Sequence, residues 1–175
     1  MAGELEIIDQ VIAQHQIIRL SLQGVQSSLT DFDALFSMQK AQSGWAQSSV
    51  DKLQDQKQQF QDALSRVQKG LSDHFSWEER VLPPLLGEAL TKALIFVHSE
   101  IRQQLEKTVT LVNDSTLKGP NQKDRLTEKL GVQNGTVTLT QMIEEHATTE
   151  EQILGMLKKA YQAQAESTKS GRTPR

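Results

Sequence analysis

The sequence predicts an all-α protein, an antiparallel four-helix bundle running up-down-up-down. Three observations predict it. Apolar residues recur at spacings of three and four along four long segments, the pattern of one buried helix face. Proline and glycine are scarce, at four and ten of 175 residues, so few positions can interrupt a helix. Aromatic residues make up only 5%, whereas the helix-favouring Gln, Leu, Ala, Glu and Lys are frequent.

The first segment, about Glu4 to Leu29, carries Leu5, Ile8, Ile12, Leu22, Val25 and Leu29 on one side. Thr30 to Ser48 follows with Phe32, Leu35, Phe36, Met38 and Trp45 but no long period, and is expected to form a short packed helix or a folded loop. The second segment, Ser49 to Leu82, keeps the spacing through Phe60, Leu64, Val67, Leu71, Val81 and Leu85. Pro83-Pro84 and Gly87 end it, because proline has no amide hydrogen and clashes with the preceding turn. The third, Glu88 to Val112, carries Leu90, Leu94, Val97, Ile101, Leu105 and Val112, and Gly119-Pro120 closes it. The fourth is clear from Leu139 to Tyr161 through Met142, Ile143, Ile153 and Leu157. Its start is not set by the pattern: Asp124 to Leu130 reads as one or two turns, and Gly131 and Asn134-Gly135 read as breakers. Residues 1–164 are expected to form the bundle, and 165–175, with nothing to bury, a mobile tail.

A net charge of −3 with no concentrated basic face argues against nucleic acid or an anionic membrane as partner. No cysteine is present, which excludes thiolate metal sites, disulfides and cysteine nucleophiles. The start of the chain carries Glu4, Glu6 and Asp9 where a secretory signal would be basic, and the longest apolar run, Ala93 to Val97, is too short to cross a bilayer, so a cytoplasmic setting is expected. No nucleotide-binding or hydrolase fingerprint occurs.

The chemistry lies in what interrupts the apolar stripes. His15 falls between Ile12 and Leu22, His74 and Glu78 between Leu71 and Val81, His98 between Leu94 and Ile101, and His146 and Glu150 between Met142 and Ile153. The chain has four histidines, and each helix takes one inward. With about three helix positions in seven facing a core, four independent inward placements have a chance on the order of a few per cent, before one per helix is required. A single inward histidine is commonly a hydrogen-bonded core residue. Four imidazoles joined by two buried carboxylates are costly unless a multivalent cation satisfies them together.

The pattern also repeats. His74 to Leu82 and His146 to Leu154 share HxxxEE followed by an aliphatic pair, while His15 to Arg19 and His98 to Arg102 share HxxIR. The chain therefore reads as two helical hairpins, each offering a lone His and an HxxxE pair whose members stand one turn apart on one face. This order of ligand types, from about residue 5 to about 160, resembles the hemerythrin-like HHE cation-binding domains. The resemblance implies a four-helix bundle holding two iron ions in an oxo- or hydroxo-bridged di-iron centre, with His15 and His74 on one iron, His98 and His146 on the other, and Glu78 and Glu150 bridging. Manganese and zinc suit the same ligand types. Oxygen-carrying hemerythrins have a further His where this chain has Arg102, which argues against reversible oxygen transport.

The expected function is binding of, or reaction with, a small ligand such as dioxygen or peroxide, in sensing, storage or detoxification. Two other readings are a di-iron oxidase or peroxide-decomposing enzyme, and a metal-free helical interaction module. Glu79 and Glu151 are alternates for the bridging role. Arg19 and Arg102 are expected to point outward or pair with acids, Glu144 and Glu145 to sit on a solvated face or orient an imidazole, and Trp77 and Tyr161 to pack in the core.

Overall fold

Nothing between Val25 and Ala41 can stop a helix, since the stretch holds neither proline nor glycine. In the computed structural model, which describes residues 2–41, 47–115 and 122–170, the first helix accordingly runs without a break as α1, Ala2–Ala41. The expected separate helix or loop after Thr30 is replaced by this extension. Ser28 and Thr30 donate their hydroxyls to the carbonyls of Gly24 and Gln26, four residues back, instead of diverting the chain. The side chains of Phe32, Leu35, Phe36 and Met38, and Trp45 altogether, lie outside the described residues.

The other helices are α2, Gln47–Val81; α3, Pro83–Asp114; and α4, Gln122–Ser170. Among the described residues there is no strand, and no single helix is long and apolar enough to cross a membrane. The turn between α2 and α3 is tight. Leu82 is fully buried, its amide still bonds to the Glu78 carbonyl, and its own carbonyl accepts from Leu85 and Leu86. The first turn of α3 then breaks at Gly87, whose φ of 71° and ψ of 174° suit glycine almost alone, and the continuous helix resumes at Glu88 as expected.

The largest departure concerns α4, which passes straight through Gly131 and Asn134-Gly135. Its reason is tertiary. Gly135 is buried against α3, where a Cβ would stand 3.2 Å from Leu111 Cδ1 and 3.3 Å from Thr108 Oγ1. Its carbonyl accepts hydrogen bonds from Thr108 Oγ1 and Gln104 Nε2. A residue that weakens an isolated helix here permits close approach of two helices, and the packing outweighs the propensity. The same helix continues past Gln164 to Ser170, so residues 165–170 are helical where a tail was expected; 171–175 lie outside the described residues.

Each helix packs on the next, and α4 closes on α1, making a four-helix bundle. Its interior divides into two apolar clusters. One is built around Leu22, Val25, Phe60, Leu64, Leu71, Phe75, Ile101, Leu105, Leu139 and Ile143. The other contains Ile8, Val11, Leu82, Leu94 and Leu154, with Trp77 and Tyr161 packed against it as expected. Leu90, expected in the core stripe of α3, is 43% exposed. Between the two clusters lies a polar layer.

Candidate metal centre

Each helix enters this layer from the first cluster and leaves it toward the second. His15 stands between Ile18 and Val11, His74 and Glu78 between Leu71 and Leu82, His98 between Ile101 and Leu94, and His146 and Glu150 between Ile143 and Leu154. The period that buries the apolar residues thus buries the ligand-type residues as well. All six are inside, from 0% exposure at Glu78 and His98 to 9% at His146.

The six side chains converge. Ligand atoms of His15, Glu78, His146 and Glu150 all lie within 4.8 Å of one another. Glu78 Oε1 is 2.9 Å from His74 Nε2 and 3.6 Å from His15 Nε2, and its Oε2 is 3.4 Å from His98 Nε2. Glu150 Oε2 is 3.3 Å from His15 Nε2 and 3.5 Å from His146 Nε2. His98 and His146 bring their Nε2 atoms to 3.3 Å. The rings fall into two pairs, His15 with His74 at 5.0 Å and His98 with His146 at 4.8 Å between centroids.

Close approach has not produced satisfied hydrogen bonds. His15 Nε2, His74 Nε2 and both carboxylate oxygens of Glu78 and of Glu150 are buried without a hydrogen-bond partner. Orphaned groups at this density are expensive in a core. They are also the donor set that a borderline or hard cation takes.

Behind the imidazoles the partners are well made. His98 Nδ1 donates to Glu79 Oε1 at 2.9 Å, and Arg102 Nη2 holds the same oxygen at 2.9 Å. His15 Nδ1 donates to Glu151 Oε1 at 3.1 Å, which Arg19 Nη1 holds at 2.7 Å while Arg19 Nε bonds Glu144. His74 Nδ1 donates to Gln14 Oε1 at 2.7 Å. A proton fixed on Nδ1 leaves the Nε2 lone pair facing the centre, the usual orientation device for metal-binding histidine. Glu79 and Glu151 therefore face the outer ring nitrogens, not the middle of the layer, and both arginines pair with acids. Phe75 completes one wall, stacked on the His98 ring at 3.9 Å with Arg102 over it.

The same geometry shifts the charges. Burial works against ionisation of Glu78, yet the surrounding His15, His74 and His98 hold its carboxyl far below the usual carboxylate range. Burial also opposes a charge on His15, but Glu150 and Glu78 outweigh it and raise the imidazole to about 9. His146 is pushed down to about 3 by burial and then by the neighbouring imidazoles, chiefly His98. Burial and the Glu78 charge push Glu150 upward.

Residues 6–157 match the hemerythrin HHE cation binding domain. The chain belongs to the hemerythrin HHE family. The match spans all six buried ligand-type residues of this hemerythrin domain, and four of them, His15, Glu78, His146 and Glu150, form a buried group that could hold a metal ion. Neither a curated protein nor a solved structure matches the chain significantly. Sequence reasoning reached the six inward residues of the domain but missed the work of Glu79, Glu151, Gln14 and Phe75. A signal for the first two was present in the doubled acid of HxxxEE and the repeated arginine of HxxIR.

Proposed function

We propose that this hemerythrin-family chain is an antiparallel bundle of two related hairpins that holds a di-iron centre and engages a small ligand such as dioxygen or peroxide. The observation that carries the reading is the set of buried, inward, unpartnered nitrogen and oxygen atoms contributed by α1, α2 and α4, with the buried His98 of α3 packed against them. The close pairing of His15 with His74 and of His98 with His146 supports one iron per pair, with Glu78 and Glu150 between them. The matched outer contacts, His15 to Glu151 to Arg19 and His98 to Glu79 to Arg102, support the two-hairpin reading.

His15, His74, His98, His146, Glu78 and Glu150 would hold the metal, and a donor set of imidazoles and carboxylates would leave room for a small exogenous ligand. Iron bound there would supply the electrons for reducing such a ligand. The protein supplies orientation: Glu79, Glu151 and Gln14 hold three imidazoles, and the two apolar clusters close the layer at its two ends along the bundle. Arg102 is occupied by Glu79 and Phe75, so it adds no ligand where oxygen carriers have a further histidine. Sensing, storage or detoxification of an oxidant fits such a centre better than transport.

Metal content and the optical spectrum of protein from iron-supplemented cells test the reading. About two irons per chain and a near-ultraviolet to visible band are expected, with His74→Ala and Glu150→Ala both losing metal. Full metal retention in both variants would remove the site.

A further inference from the structure

A groove opens between α3 and α4 onto one side of the polar layer. Its volume is about 350 Å3, its walls include Leu90, Leu94, Val97, Met142 and Ile153, and His146 and Glu150 reach it from the centre. We infer that this groove binds an apolar organic molecule that carries no acidic group and favours an amine at its mouth, seated against His146 and Glu150.

Size comes first. A volume of about 350 Å3 lies within the range of about 300–1,000 Å3 typical of organic ligand sites, and far exceeds what a diatomic gas fills. The wall is built for contact: Leu90 leaves the core stripe to line the groove and keeps 43% of its surface exposed. Burying that surface under a ligand is favourable at about 25 cal/mol per Å2.

Charge selects next. Glu100 and Glu145 line the groove, both exposed, and neither forms an ion pair with a described residue. Glu150 lies deeper, with both carboxylate oxygens lacking hydrogen-bond partners. No lysine or arginine lines the groove. At the mouth an acid would meet only the like charge of Glu100 and Glu145, whereas an ammonium group there gains both carboxylates.

The opposite side of the centre shows that this is a local property. There a cavity of about 320 Å3 reaches His74 between α1 and α2, but Gln14, Ser21, Arg66 and Asp73 line it, mixing both charges with polar groups. Gln14, the residue before His15, occupies the His74 Nδ1 atom. Val97, the residue before His98, is an apolar wall, and His146 Nδ1 has no hydrogen-bond partner among the described residues. The outer nitrogen of His74 is thus held, while that of the imidazole at the groove is free.

The placement of the ligand beside a metal rests on the proposed function, but occupancy of the groove does not. Isothermal titration of the full chain is therefore run on metal-loaded and chelator-treated samples, with metal content measured in each. The probes are 1-naphthylmethylamine, 1-naphthalenemethanol and 1-naphthoate, which share one ring system. Saturable one-to-one binding of the amine and the alcohol is expected, with the carboxylate weaker by about tenfold. Thr149→Trp, at an exposed position lining the groove, is expected to weaken the amine by about tenfold or more, while Thr148→Trp, exposed beside it but outside the groove, leaves binding unchanged. The Glu100→Lys/Glu145→Lys double variant is expected to reverse the preference toward the carboxylate. Absence of saturable amine binding, equal binding of the carboxylate, or indifference to both groove variants overturns the inference. A sample that holds metal but binds no amine removes the groove alone. A chain that takes up no metal on attempted loading yet binds the amine upholds the groove and removes the metal function.

Discussion

A metal ion that takes the Nε2 lone pair of His15 must displace a proton, and this gives the metal-free and metal-loaded forms different responses to pH. In the metal-free fold Glu150 and Glu78 overcome burial and hold His15 at about 9, against about 6.5 in an unfolded chain. Because the folded value is the higher one, the stabilisation is fully present below about pH 6.5 and is lost as pH rises through about 9. The separation is worth about 3 kcal/mol, and at 1% exposure solvent screens little of it. For a domain of this size that corresponds to a fall in Tm of about 6–12 °C between pH 6.5 and pH 9 or above. Neither Glu78, held far below the usual range, nor His146, held near 3, changes protonation in that window. Metal affinity runs the other way, rising about tenfold per pH unit, or about 100-fold from pH 6 to pH 8, as the proton becomes easier to remove. Since a ligand bound only to the folded state raises its stability by mass action, the Tm gap between loaded and stripped protein should widen with pH. Thermal melts of chelated and manganese- or zinc-reconstituted protein, with affinities from competition against a chromophoric chelator, measure both trends. A gap that narrows with rising pH, or an affinity flat from pH 6 to pH 8, would refute the placement of His15 as a protonated group in the path of the metal.

Other perturbations separate the parts of the centre. Glu79→Gln weakens the acceptor behind His98, and Arg102→Leu frees the carboxylate it holds; each is expected to lower metal affinity about 10- to 100-fold while circular dichroism stays helical. Glu78→Ala removes the carboxylate shared by three imidazoles and should abolish metal uptake, read by elemental analysis; stoichiometric metal in this variant would contradict the bridging role. Gly87→Ala forces a side chain into a backbone region reserved for glycine and should cost about 1–3 kcal/mol in denaturant unfolding without changing metal content. Gly135→Val places atoms against Leu111 and Thr108 and should destabilise by about 1–3 kcal/mol, whereas an isolated peptide of the same region should gain helix from the same change.

Much of the centre could be read without coordinates because a bundle helix has one simple rule. Whatever falls on the apolar stripe goes inside, and His15, His74, Glu78, His98, His146 and Glu150 fall on it. What could not be read depends on contacts between helices. Leu90 obeys the stripe yet stands in solvent, because α3 and α4 part at that level to form the groove. Gly135 looks like an interruption and is a packing surface. Glu79 and Glu151 sit one residue after the inward acids; only the positions of Arg102 and Arg19 on neighbouring helices turn them toward the outer nitrogens of His98 and His15.

Periodicity along the chain is a local property, so the primary structure alone was enough to set the four helices, their buried faces and the six groups that meet inside. Distances between atoms on different helices are not local. The tertiary structure alone decided that α4 runs on through its glycines, that three imidazoles are held from behind and the fourth is not, and that one side of the centre opens into an apolar groove. Those outcomes follow from how closely each pair of helices can approach, which depends on side chains far apart in sequence.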